Sequence, residues 1–310
     1  MKLSIVTPLY NSQDFIRPFH ERIVRCVQAI TADYELIFVN DGSGDSSLAI
    51  ATALQKEDSH VLVVDLSRNF GHHKALMTGL SYAGGEFVFQ IDVDLEEEPE
   101  LLTEFWAEMA ENPALDVVYG VQHTRKGGWF ERVSGRLFYF LYNRLASVPV
   151  PHNIVCARLM RRPYVDALLQ FREQEIFLAG LWSAAGFNQQ PMPVVKQNRG
   201  ASSYSFRKKL SLLVNSITSF STAPLKLIFS LGAGITGLSF AYIVFLVLRK
   251  IFLDAHIDGW TTIVVSIWFF GGLILFSIGI IGLYLSKIFI ETKNRPYTLI
   301  KGVYGRSKSE

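Results

Sequence analysis

The sequence predicts an α/β fold: a mostly parallel sheet with helices on both faces, followed by an α-helical transmembrane hairpin. Three observations carry this. Short apolar runs alternate with helix-period segments through the first 120 residues. Polar clusters stand directly after four of those runs. Beyond Pro224 two apolar stretches each exceed the roughly 20 residues that cross a bilayer as a helix.

The elements follow in order. Leu3–Thr7 reads as a strand ending at Pro8, and Phe15, Ile16, Phe19, Ile23, Val27 and Ile30 recur at helical spacing. Glu35–Val39 is a second strand, followed by the turn Asn40-Asp41-Gly42-Ser43-Gly44 and a helix through Leu48 and Leu54. Val61–Leu66 is a third strand, with a helix from His73 to Ala83 after it. Glu86–Ile91 is a fourth, and after a helix over Leu101–Met109 the run Asp116–Tyr119 is a fifth. That alternation gives parallel neighbours joined by crossover helices.

The first long apolar run, Leu225–Leu248, holds one charge, Lys226; the second, Thr261–Ser286, holds none. Neither has a polar face, so both are expected to span a membrane, joined by the loop Arg249–Trp260. Lys and Arg crowd the outer flanks, at Arg207, Lys208 and Lys209 before and at Lys287, Lys293, Arg295, Lys301, Arg306 and Lys308 after. Positive flanks stay inside, which places the N-terminal domain and the C-terminus in the cytoplasm. The expected boundaries are a cytoplasmic domain over 1–205, an amphipathic juxtamembrane helix over 206–224, two transmembrane helices over 225–286 and a cytoplasmic tail over 287–310. Aromatics mixed with Arg in Trp129–Val148, and the similar Tyr204–Phe220, suit helices resting on anionic lipid. Tyr297–Tyr304 reads as a late strand available to pair with a neighbouring copy, a homo-oligomer contact.

Net charge of +2 gives no case for a nucleic-acid partner, while 49% hydrophobic content is high for a soluble enzyme. Met1-Lys2 runs straight into a strand, so no signal peptide is expected. Cys26 and Cys156 stand far apart in no metal-ligand spacing, which suits a reducing compartment.

In a parallel sheet ligands bind beyond the carboxyl ends of the strands. Tyr10 and Asn11, Asp41, Arg68 and Asn69, and Asp92 with Asp94 stand at four such ends, so the topology gathers them into one crevice. No GxGxxG or GxxxxGK[ST] is present, which weighs against a dinucleotide site or a P-loop. In an extended strand end Asp92 and Asp94 point the same way, with Val93 turned into the sheet. Paired carboxylates there favour a hard divalent cation that also binds phosphates, and Glu96 continues the register as a third oxygen. Glu97, Glu98 and Glu100 read as a solvated acidic first turn of the next helix. Asp41 is placed to accept a hydrogen bond from a base or ribose.

Four strings, VTPLYN at 6–11, VNDGS at 39–43, LSRNFG at 66–71 and IDVDL at 91–95, resemble the inverting family 2 glycosyltransferases of the Rossmann-like GT-A fold. They are most similar to the polyprenyl-phosphate branch (dolichol-phosphate-mannose-synthase-like), which also carries two C-terminal transmembrane helices. The resemblance implies nucleotide contacts from Pro8, Tyr10, Asn11, Asp41, Arg68 and Asn69, with Asp41 on the base. It implies Mg2+ or Mn2+ held by Asp92, Asp94 and Glu96 on the diphosphate, and a catalytic phosphate contact from Arg158. It implies an acceptor and phosphate loop including Arg125, Arg199, Ser202, Ser203 and Tyr204. The implied partners are a nucleotide-diphosphate sugar, UDP-linked, and undecaprenyl phosphate at the bacterial inner membrane.

A lipid phosphate is largely dianionic at pH 7, with a second pKa near 6, so as a nucleophile it needs cations to hold it more than a strong base. That matters because this chain departs from the family: Ser12, Cys156, Gln197 and Ser203 stand where Glu, Asp, Arg and Lys are common. Two other readings stay open on those departures: transfer to a different glycolipid acceptor, and a weakened membrane protein that binds nucleotide sugar or lipid.

Overall fold

The computed structural model describes residues 2–122, 144, 149–196, 221–253 and 259–305. Arg125, Arg199, Ser202, Ser203, Tyr204, most of Trp129–Val148 and the expected helix up to Phe220 lie outside the described residues. The chain divides into two compact units, one holding the sheet and the C-terminal strand, the other the long apolar helices.

The first unit is built on β1 (Leu3–Leu9), β2 (Tyr34–Asn40), β3 (Val61–Leu66), β4 (Phe87–Gln90), β5 (Val117–Gln122), β6 (Ile154–Arg161), β7 (Gln189–Val194) and β8 (Ile300–Tyr304). They form one eight-stranded sheet in the order β7-β5-β6-β4-β1-β2-β3-β8. β4, β1, β2 and β3 run parallel, β7 runs parallel to β5, and β6 and β8 run against their neighbours. Every residue of β1 and of β3 is buried, as expected for strands covered on both faces.

Helices α1 (Ile16–Gln28), α2 (Ser47–Glu57), α3 (His72–Tyr82) and α4 (Leu101–Glu111) are the expected crossovers, and short α5 (Arg162–Leu168) and α6 (Leu178–Ala184) follow β6. Pro18 stands in the first turn of α1, where its missing N–H breaks no helical bond. Phe19 on α1 meets Phe38 edge-on at 6.3 Å, and Phe105 on α4 meets Phe89 at 6.2 Å. Burying one such ring stabilises the sheet by about 1.5–3 kcal/mol. On α3, a Cβ at Gly79 would stand 2.4 Å from Val6 Cγ1, so only glycine lets this helix sit so close to β1.

Three expectations change here. β6 and β7 were not foreseen. The strand expected at Tyr297–Tyr304 is β8, and it pairs antiparallel with β3 of its own chain. Asp92 and Asp94 do not continue an extended strand: β4 ends at Gln90, a turn begins at Val93, and Leu95 has φ 58°.

The second unit contains α7 (Ala223–Leu253) and α8 (Trp260–Thr292), longer than the apolar runs themselves. Among the described residues one helix, Ser266–Thr292, is long and apolar enough to cross a membrane, and its apolar window is unburied. Trp268, Leu275 and Phe276 stand open on its surface. Such a face has no place in water and suits lipid. The second span expected over Leu225–Leu248 lies within α7, where Ala223–Ile235 is a shorter apolar helix.

Candidate active site

The crevice at the strand ends is assembled by the backbone. Asn11 adopts φ 50°, accepts Gly44 N–H on Oδ1 at 2.9 Å and donates its own N–H to Ser43 Oγ at 3.1 Å. Ser12 is buried, and its Oγ closes onto Tyr10, accepting that residue's N–H at 3.2 Å, while Tyr10 itself is 54% exposed. Gly42 has φ 63°, and a Cβ there would sit 2.4 Å from Asn69 N, so the loops after β2 and β3 touch at a point only glycine fits. The Asp41 carboxylate accepts Phe70 N–H at 2.7 Å and Gly71 N–H at 2.9 Å. Asp41 was expected to face a base; both its oxygens instead clamp the Arg68–Gly71 loop, in which Arg68 lies over the Phe70 ring at 4.0 Å. Pro8 is buried within β1.

The acidic run behaves differently from a solvated turn. From Asp92 to Pro99 exposure alternates, with Val93, Leu95 and Glu97 inward and Asp92, Asp94 and Glu96 half-open. Glu97, expected in water, is 1% exposed and accepts Cys156 N–H at 3.2 Å and Ala157 N–H at 2.6 Å. Those bonds tie the loop after β4 to β6. Glu100 is the exposed one, held by Arg22 at 2.5 Å. Glu96, expected as a metal ligand, instead pairs with Lys196 at 3.0 Å. Lys196 also lies 3.5 Å from Glu97. It is the cation the sequence did not place here, about a hundred positions away.

A cavity of about 210 Å³ opens here, lined by the carboxylates of Asp92 and Glu97 together with Asn153, Cys156 and Lys196; Lys196 pairs with Glu96 and Glu97. Burial, and then the charge of Asp94, raise the Asp92 pKa. Burial, and then Asp92, raise that of Glu97 against the pull of Lys196 and the two amides. Asp92 Oδ1 is buried without a hydrogen-bond partner. An orphaned carboxylate oxygen beside Asp94, with negative charge in excess, fits a hard divalent cation, which would be held by Asp92 and Asp94.

Cys156 reaches this group through the sheet register. The ladder of β4 against β6 runs from Phe87↔Arg161 to Gln90↔Arg158, and just beyond its end an Asp92 carboxylate oxygen and the Cys156 sulfur lie within 4.8 Å of each other. Gln90 Nε2 lies 3.3 Å from its sulfur. Burial first, then Asp92 and Glu97, push the thiol pKa well up. His72, at the start of α3, brings Nε2 to 3.5 Å from Asp92 Oδ1, and burial lowers its pKa against the pull of Glu97, Asp94 and Asp41.

Arg158, on the same face of β6 as Cys156, is fully buried and does not line the cavity. Its guanidinium carbon lies 3.2 Å from the Trp182 ring centroid and 5.7 Å from that of Tyr119. Burial lowers its pKa to about 10, which leaves it charged at pH 7. Among the described residues its three nitrogens make no hydrogen bond of good geometry, the neighbouring Tyr164 hydroxyl giving its own hydrogen to Trp182 O. A buried cation so placed is costly until an anion meets it.

Residues 4–169 match the model of Glycosyl transferase family 2. A protein of Mycobacterium tuberculosis (strain CDC 1551 / Oshkosh), named among the glycosyltransferases, is 46% identical over 305 residues, covering 98% of this chain and 89% of that one. The SfII prophage-derived bactoprenol glucosyl transferase of Shigella flexneri is 33% identical over 307 residues, covering 97% of this chain and 98% of that one. Among solved structures, mannosyltransferase PcManGT from Pyrobaculum calidifontis, in complex with GDP-Man and Mn2+, is similar with a TM-score of 0.50 at 17% identity, covering 70% of this chain and 63% of that one, a likeness of fold. The fold is therefore GT-A-like, and the chain is a glycosyltransferase belonging to family 2.

Proposed function

We propose that this enzyme transfers one sugar from a nucleotide-diphosphate sugar, UDP-linked, to undecaprenyl phosphate at the cytoplasmic face of a bacterial plasma membrane, for modification of a cell-envelope glycan. The observation that carries the reading is the end-to-end likeness to bactoprenol glucosyl transferases, joined to a strand-end crevice rich in carboxylates.

In this reading Asp41 fixes the Arg68–Gly71 loop, and exposed Tyr10, Arg68 and Asn69 meet the nucleotide. Asp92 and Asp94 would hold Mg2+ or Mn2+, and a bound ion would supply positive charge against the negative charge of the departing diphosphate. An acceptor phosphate oxygen attacks the anomeric carbon, the bond from that carbon to the diphosphate oxygen breaks, and its electron pair leaves with the nucleotide. The dianionic acceptor carries no proton on the attacking oxygen, so Cys156 needs no base chemistry. Arg158, fully buried and outside the cavity lining, adds positive potential near the site without touching a phosphate itself. α7 and α8 form the two-span membrane anchor, with the basic flanks inside.

The test is incubation of the purified chain with undecaprenyl phosphate and a panel of labelled UDP-sugars, with and without Mn2+. Labelled lipid that requires the metal is expected. Label on another acceptor only, or binding without turnover, would contradict the proposal.

A further inference from the structure

We propose that His72, Asp92 and Cys156 form a second cation site, for a thiophilic divalent ion of zinc chemistry, which shares Asp92 with the hard-ion pair and so competes with it. A ring nitrogen, a carboxylate oxygen and the thiol sulfur lie within 4.8 Å of one another. The Asp92 oxygen facing His72 is the buried one without a hydrogen-bond partner. The donors come from three places fixed by the fold: the first turn of α3, the exit of β4, and β6, whose ladder with β4 ends at Gln90↔Arg158 just short of Asp92 and Cys156.

Nitrogen, sulfur and carboxylate oxygen are the ligand set of zinc, with bonds of about 2.0–2.3 Å and a fourth position open to water or a phosphate. Those bond lengths imply tetrahedron edges of roughly 3.3–3.8 Å, so the three atoms need to close by about an ångström. His72, whose side chain is 46% exposed, has the freedom to make that move. A magnesium ion would take oxygens and leave the thiol aside, whereas a softer ion gains from the sulfur. Binding converts the Cys156 thiol to a thiolate, and its proton passes to solvent. Zinc would thus displace the ion held by Asp92 and Asp94 and slow the enzyme.

The test uses Co2+ as a spectroscopic probe on the intact, detergent-solubilised chain after removal of metals. A near-ultraviolet sulfur-to-cobalt charge-transfer band is expected, lost in Cys156→Ser, retained in Asp94→Asn, weakened or shifted in His72→Gln, and displaced by equimolar Zn2+ but not by excess Mg2+. Cys26, the other cysteine, is buried on α1 and serves as the internal control. Absence of the band in the wild-type chain, or its survival in Cys156→Ser, overturns the proposal. Should that variant misfold, an unchanged band in His72→Gln, altered only near the surface, overturns it equally. The readout is independent of sugar transfer, so its failure would leave the proposed function standing.

Discussion

Lys196 lies 3.0 Å from Glu96 and is, among the described residues, the positive side chain set among Asp92, Glu96 and Glu97. Burial disfavours its ammonium, but Glu97, Glu96 and Asp92 outweigh that and raise its pKa, so the charge is firmly held. The cluster still carries negative excess, and Lys196 and a divalent cation therefore share one task.

Removing Lys196 should make the fold lean on the metal. Lys196→Met, which keeps the apolar stem, should lose about 1–2 kcal/mol in EDTA, less than a fully buried broken pair because water reaches part of the side chain. Thermal melts with and without Mn2+ check this. The variant should regain more stability from the ion than the wild-type chain does.

The Asp41 clamp makes a second expectation. Asp41→Ala removes two charge-assisted hydrogen bonds to the Phe70 and Gly71 amides. The cost should be about 2–4 kcal/mol of local stability. Amide exchange at those two residues should quicken while exchange in β1 and β2 stays slow. Asp41→Asn keeps one acceptor and should fall between. Nucleotide affinity should drop in the same order.

Glu35 makes a third, with a pH sign. Burial alone would raise its pKa, but bonds from Lys2, Ser4 and the Gly84 amide prevail and hold it below the usual carboxylate range. The folded state therefore binds this proton less tightly than the unfolded chain does. Its contribution is complete above the unfolded pKa of about 4.3 and fades as pH falls through the lower folded value. Glu35→Gln should be less stable at pH 7 and show a flatter loss of stability between about pH 5 and 3, read from urea midpoints.

The four parallel strands were legible because strands buried on both faces are written as continuous apolar runs, and the polar clusters marked their ends. β7 was hidden by Pro191 and Pro193, which read as strand breakers; it is an edge strand, where a missing N–H costs little. β6 carries Arg158 in its interior, and nothing in the sequence announces the Trp182 ring that covers it. Within the site, Asp92 and Asp94 were found because strand ends collect ligands. Glu97 was misjudged because three consecutive glutamates look solvated, whereas the inward alternation from Val93 carries it under β6. Lys196 and Cys156 arrive by pairings 59 to 100 residues long, which local patterning does not encode.

The central claim is that a divalent cation held by Asp92 and Asp94 is required for sugar transfer. Asp94 Oδ1 caps the Glu96 amide at 2.9 Å, a bond that asparagine can keep, so Asp94→Asn should fold. The direct measurement is Mn2+ binding by electron paramagnetic resonance, alongside label transfer to undecaprenyl phosphate, in wild-type chain and Asp94→Asn. The wild-type chain should bind Mn2+ and transfer, and the folded variant should lose both together. Transfer by Asp94→Asn at the wild-type rate, or by wild-type chain in EDTA, would contradict the account.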